Sequence, residues 1–136
     1  MAGTNSDYTE VAAINHILGT TAWTMPAAVS LAQFTTNPNF ETGAGGTEAT
    51  GGSYARKAVI FTTASGAGGS TTGPTVAKVW TVGTDIAAGT YVGYAIYDAA
   101  AAGNMLFGEA FSASKVLTNT GDTLTFAIGS ISYSLT

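Results

Sequence analysis

The sequence contains no cysteine, which excludes a disulfide framework, an iron–sulfur cluster and any thiolate zinc site. Charge is nearly as scarce. Charged residues make up 9% of the 136-residue chain, against about 25% in an ordinary soluble domain, so the exterior must be mostly neutral. The only cations besides the single histidine are Arg56, Lys57, Lys78 and Lys115, in a chain of net charge −4. They form no basic stripe, and nucleic acid, whose binding rests on neutralising several phosphates, is not expected as a partner. No apolar run approaches the ~18 residues that cross a membrane as a helix. The opening Met1-Ala2-Gly3-Thr4-Asn5-Ser6-Asp7 has neither the basic nor the apolar region of a leader. The expectation is a cytoplasmically made, soluble protein with no membrane partner.

What is present is a large apolar class and 18 glycines, enough to fill the core of one compact domain spanning 1–136. Tyr8, Val11, Ala12, Asn15 and Leu18 recur at the three-and-four spacing of one helical face. Asp7 with Glu10 three residues on has the form of a capping box, and Gly19 supplies a stop, which predicts a helical arm over 7–18. Beyond Thr20, short apolar and β-branched runs alternate with Gly, Thr, Ser, Asn and Pro, the pattern of an all-β domain. Strands are predicted at 27–34, 57–63, 75–82, 90–97, 105–111, 114–118, 123–128 and 130–135. The run from Tyr91 to Tyr97 is apolar on both parities and reads as a central strand covered on both faces. The inward parity changes between Leu124-Phe126-Ile128 and Ile131-Tyr133-Leu135, which predicts a bulge or turn at Gly129. Two long loops, 37–56 and 65–74, are rich in Gly, Thr and Ser. The first is either a packed arm or a contact surface, and the second reads as a flexible hairpin tip.

Little here asks for catalysis. The one histidine, His16, lies near the helix end, where a structural role at the C-terminal dipole is the simpler use. Glu41, Glu48, Asp98, Glu109 and Asp122 are scattered. Asp98 and Asp122 suit turn amides, and a glycosidase-like pair is not indicated. No EF-hand spacing, phosphate loop or dinucleotide fingerprint occurs, so no metal and no cofactor are expected. Trp23 and Trp80 suit core packing, an interface or sugar stacking.

The most distinctive stretch runs from Gly45 to Lys57, Gly-Gly-Thr-Glu-Ala-Thr-Gly-Gly-Ser-Tyr-Ala-Arg-Lys. Gly51-Gly52 permits a tight reversal, so that Glu48 and Arg56 can face each other and pin the loop, with Tyr54 as an apolar anchor. Asp98 and Asn104 bracket Ala99-Ala100-Ala101-Ala102-Gly103, where their side chains can satisfy loop amides. Together with Leu31-Ala32-Gln33-Phe34-Thr35-Thr36-Asn37-Pro38, Tyr94-Ala95-Ile96-Tyr97-Asp98-Ala99, Gly103-Asn104-Met105-Leu106-Phe107 and Gly121-Asp122-Thr123-Leu124, this stretch resembles a family of small tailed-phage virion proteins, labelled tail-fibre-like or minor structural proteins. The resemblance spans nearly the whole chain. It implies a particle component without known catalysis, built as an antiparallel β-sandwich. With the strand count above, the expected fold is a jelly-roll-like sandwich of about eight strands carrying one N-terminal helix.

Three functions follow as expectations. The first is a capsid decoration or cement protein docking on the head exterior, since a neutral skin suits lying against a lattice. Its partners are other virion proteins, the major capsid protein or tail proteins, and it forms a homo-oligomer, with a trimer as the favoured case. The second is a tail-fibre or baseplate module; 136 residues with no coiled-coil heptads supply one globular knob, so a module is expected rather than a full fibre. The third, of another class, is a carbohydrate-binding module using Trp23, Trp80 or the Tyr-rich strand. The helix and the first long loop are the expected docking arms, with Tyr8, Val11, Trp23, Pro38, Phe40 and Trp80 as interface candidates.

Overall fold

In the computed structural model, which describes residues 4–66 and 69–134, the chain forms one helix and ten strands. In order these are β1 (Thr4–Asn5), α1 (Asp7–Ile17), β2 (Val29–Thr36), β3 (Thr47–Glu48), β4 (Lys57–Val59), β5 (Thr71–Gly73), β6 (Lys78–Thr81), β7 (Gly89–Tyr97), β8 (Met105–Leu117), β9 (Thr123–Phe126) and β10 (Ile131–Tyr133). The central sheet has the order β1-β8-β7-β2-β3, with β4 also pairing to β2. Two two-stranded ribbons, β10-β5 and β6-β9, make up the facing layer. All named strand pairs are antiparallel. The architecture is an all-β sandwich with one N-terminal helix; its second layer is a pair of ribbons rather than one continuous jelly-roll sheet.

The core sits between the layers. Leu31, Tyr94, Ile96 and Phe107 of the central sheet meet Trp80, Leu124, Phe126 and Ile131 of the ribbons. The rings interlock edge to face: Tyr94 lies 5.5 Å from Phe126, and Phe126 lies 6.2 Å from Trp80. Strand β7 supplies residues to both faces of its sheet, with Ala95 and Tyr97 entering a second cluster made with Ala32, Phe34 and Met105. That double burial explains why its sequence is apolar on both parities.

The second cluster is roofed by the first long loop. Its ring from Phe40 lies over Gly108 of β8, where an added Cβ would come within 2.6 Å of the ring. A side chain there would lift the loop, so glycine is what lets it lie flat. Pro38 is buried, with its backbone against Gly46 of the same loop. This part of the loop is therefore a packed arm; the burial of Pro38 takes it away from an interface role, whereas Phe40 packs on the sheet and stays only partly buried.

Other expectations shift as well. The strands predicted at 105–111 and 114–118 are one strand, β8, in which Gly93 opposes Ala110 while Tyr91 opposes Lys115. Several extra β8 residues bulge out between those pairs, and the polar Ser112 to Ser114 segment that looks like a turn lies in the bulge. The segments at 57–63 and 75–82 are shorter than predicted, because only Lys57–Val59 and Lys78–Thr81 find ladder partners. The chain turns at Gly129, where Ser130 donates to the Ala127 carbonyl at 3.1 Å. In the predicted strand 130–135, Leu135 lies outside the described residues; so do Ala67 and Gly68 of the second long loop.

Helix α1 is capped by Ser6, whose hydroxyl accepts from the Thr9 amide at 3.3 Å, rather than by Asp7. Its end is a Schellman motif: the Gly19 amide donates to the His16 carbonyl at 3.2 Å and the Thr20 amide to the Asn15 carbonyl at 2.9 Å. The Thr9 hydroxyl donates to the Leu106 carbonyl of β8 at 2.7 Å, and the Ser6 hydroxyl reaches the same carbonyl at 3.1 Å. These hydroxyls anchor the polar side of the helix against the sheet. The apolar side is rolled outward, the reverse of what its spacing suggests.

Candidate functional site

Two places gather the residues singled out from the sequence. The first is a clamp at the edge of the central sheet. Gly51 and Gly52, at φ of 93° and 54°, reverse the chain against Thr84 and Ala87, where an added Cβ would collide with backbone. The reversal brings Arg56 back to β3. Its Nε donates to Glu48 Oε1 and its Nη2 to Glu48 Oε2, both at 2.9 Å, a bidentate pair. Its Nη1 donates to the Ala102 carbonyl at 2.7 Å, and the guanidinium stacks 3.6 Å from the Tyr97 ring centre. The Tyr54 hydroxyl adds a 2.7 Å bond to Glu48. One guanidinium thus holds together β3, β7 and the loop after β7.

That loop is shaped to meet it. Asp98 accepts from the Asn104 amide at 2.7 Å and from the Asn104 side chain at 3.0 Å, which closes the alanine-rich turn. Inside the turn Ala102 takes φ of 51°, a left-handed conformation that costs a non-glycine residue roughly 1 kcal/mol. It aims its carbonyl at Arg56. Sequence reasoning could pair Glu48 with Arg56 and Asp98 with Asn104, but the link between the two pairs runs through a backbone carbonyl and leaves no mark in residue types.

Partial burial pushes the Glu48 carboxyl up, but the hydrogen bonds from Arg56 and Tyr54 and the Arg56 charge outweigh it and hold the pKa below the usual carboxylate value. Burial, reinforced by the Glu48 bond, pushes the Tyr54 hydroxyl well above its ordinary range. A carboxylate whose folded pKa is depressed stabilises the fold above its unfolded pKa and loses that contribution as pH falls through the folded value. The melting temperature is therefore expected to hold between neutrality and about pH 5 and to fall in more acid solution. Glu48→Gln should melt lower at neutral pH, with the gap to the wild type closing as the pH drops. Thermal melts of both chains across that range check this; parallel curves would mean the carboxyl titrates normally.

Beside the clamp lies an open depression of about 410 Å³ whose walls include Thr50 and Ala100 to Ala102. Arg56 reaches its edge, but all three guanidinium nitrogens already donate to the protein itself. The clamp thus acts mechanically, fastening loops.

The second place is the helix and the segment after it. A cleft of about 280 Å³ opens between Tyr8, Ala12 and Asn15 of α1 and residues 21–24. Trp23 is half-buried there, 6.5 Å from Tyr8 at an interplanar angle of 84°. Its amide donates to His16 Nδ1 at 3.2 Å, which ties the segment to the helix. Tyr8 and Val11 are exposed. Trp80 is not with them: it is 0% exposed. This removes Trp80 both as an interface residue and as a sugar platform, and the perpendicular Tyr8 and Trp23 rings do not form a flat one either.

Asp122, Lys57 and Asp85 are engaged locally. Asp122 accepts from the Thr118 and Asn119 amides at 2.9 Å, and Lys57 lies 3.7 Å from Asp85 and 5.1 Å from the Trp80 ring centre. Among the described residues no group of three or more acidic or histidine side chains is placed to hold a metal ion. No helix among them is long and apolar enough to cross a membrane.

No curated protein matches the chain. A family described as "Podophage GP4 fiber I protein gp80" matches residues 4–134. The match begins at β1 and ends just past β10, so it takes in the clamp, the packed arm and the helix alike. Running nearly end to end, it shows that the chain belongs to the podophage GP4 fiber I protein gp80 family, small structural proteins of the tailed-phage virion.

Proposed function

We propose that this chain is a non-catalytic structural module of a phage fibre, holding other virion proteins through its helix. The observation that carries this reading is the end-to-end match to a family described as a fiber protein. The chemistry agrees with it. Glu48, Asp98 and Asp122 bond within the fold, His16 serves as an acceptor for a backbone amide, and the most exposed apolar side chains include those of the helix. The partners are other proteins of the particle, and no cofactor is needed.

Decoration of the head exterior is the competing reading, favoured by the nearly uncharged skin, which suits close packing beside neighbours. Gold-labelled antibody against the chain, imaged on intact virions, separates the two. Label along the fibres is the expected result; label spread over the head shell would replace the fibre reading with the decoration one.

A further inference from the structure

The segment that follows α1 is joined to the rest of the fold by very little. Thr20 and Thr21 stay with the helix, because the Thr20 amide and hydroxyl donate to the Asn15 carbonyl at 2.9 and 3.1 Å and the Thr21 amide to the same carbonyl at 3.3 Å. Beyond them, from Ala22 to Ala27, a single hydrogen bond is made among the described residues, the one from the Trp23 amide to His16 Nδ1 at 3.2 Å. The Trp23 ring adds its edge-on contact with Tyr8 and packs, partly buried, against the core. One bond therefore governs whether residues 22–24 lie against the helix as the outer wall of the cleft.

Its acceptor is one that a proton can remove. An imidazole nitrogen accepts an amide hydrogen only while it carries none, so the bond requires a neutral His16 with its hydrogen on Nε2. Once Nδ1 is protonated, two N–H groups point at each other and the Trp23 amide must turn away. No rotation of the ring restores the bond, since both nitrogens of the cation are donors. His16 is exposed, so the proton comes straight from solvent. It also stands in the last turn of α1, where the helix dipole favours the cation. The dipole and the bond to Trp23 thus pull in opposite directions on the same ring.

No other charge is paired with it. Residues 20–24 carry no titratable side chain. On α1 itself Asp7 and Glu10 stand in the first turn, and Glu41 lies beside Asp7. Tyr133 of β10 feels the charge of Glu10, and β8, against which the helix packs, brings Glu109 and Lys115. The ion pairs among the described residues are Arg56–Glu48 and Lys57–Asp85, and neither includes His16.

We propose that His16 is a pH-operated latch, which when neutral holds residues 22–24 closed on α1 and when protonated lets them swing out about Thr21. Opening widens the cleft and turns Trp23 and Tyr8 toward solvent on a helix that already exposes Val11 and Ile14. Mild acid thereby enlarges the apolar surface at this end of the molecule. The latch is a property of the chain alone and does not rest on the fibre reading.

Two-dimensional amide NMR of the isotope-labelled full chain, titrated from about pH 8 to about pH 5, crosses the range in which histidine changes charge. The Trp23 amide resonance is expected to move with the same midpoint as the His16 ring. Its protection against hydrogen exchange, taken relative to a free amide at the same pH, should fall roughly fivefold, the weight of one hydrogen bond. His16→Ala is expected to show the low protection at every pH, and so is His16→Lys, a permanent cation in this range; either serves should the other not fold. A Trp23 amide that ignores the titration of His16, a Trp23 amide that still titrates in the variants, or a loss of helical circular dichroism in the same range, meaning that α1 itself melts, would each overturn the inference.

Discussion

Trp80→Ala should destabilise the fold by about 3–5 kcal/mol, the usual cost of removing a fully buried tryptophan. In a chain of this length that corresponds to roughly 10–20 °C in melting temperature. The effect has three sources. The side chain is 0% exposed, so its removal leaves a cavity between the layers rather than a surface dent. Its ring meets Phe126 edge-on at 6.2 Å, and Phe126 in turn contacts Tyr94 of the central sheet, so the aromatic chain linking the layers is cut. Its indole N–H donates to the Ala55 carbonyl at 3.2 Å, and that acceptor would lose its partner. Urea unfolding followed by circular dichroism measures the loss. Trp80→Phe, which keeps most of the apolar volume but not the donor, should cost less, about 1–3 kcal/mol. A loss below about 1 kcal/mol for the alanine variant would place the residue outside the cooperative core.

Arg56→Ala ranks second, at about 2–3 kcal/mol. Breaking a buried ion pair costs about 3–5 kcal/mol, but the Glu48 side chain here keeps 27% exposure while that of Arg56 keeps 10%, and water recovers part of the difference. The variant strands a partly buried carboxylate, the Ala102 carbonyl and the face of Tyr97 at once. Arg56→Lys is expected to recover little, because an ammonium cannot span two carboxylate oxygens, reach the carbonyl and stack on a ring together. Equilibrium unfolding of Arg56→Ala, Glu48→Ala and the double variant gives the coupling between them. Additive losses, or a lysine variant as stable as the wild type, would show that the planar fork is not what fastens the loops.

The aromatic and charged anchors differ in how well the sequence announces them. Glu48 and Arg56 stand out because charge is so rare in this chain and a Gly-Gly reversal lies between them. The apolar character of β7 on both parities follows directly from burial on two faces, and the three-and-four spacing with Gly19 marks α1. Other features depend on distant chain and leave no local sign. Strands β1, β3 and β5 are two or three residues long and exist only because a longer partner offers a ladder. The outward roll of α1 is decided by two hydroxyls finding carbonyls on β8, about a hundred residues away. Which tryptophan is buried is a matter of which strand lands under the second layer. The sequence places Trp80 in a predicted strand and Trp23 between elements, but strand membership alone does not say which side of a strand is covered.

The arm that carries Phe40 has an effect on how the molecule can be built into something larger. With ribbons laid over one side of the central sheet and the arm over the other, neither broad side of that sheet is left as bare adhesive ground. Neighbours must come at the perimeter or onto the coverings themselves. An insertion meant to display a tag belongs on the outer rim, well away from residues 37–46, where it would pry up the lining.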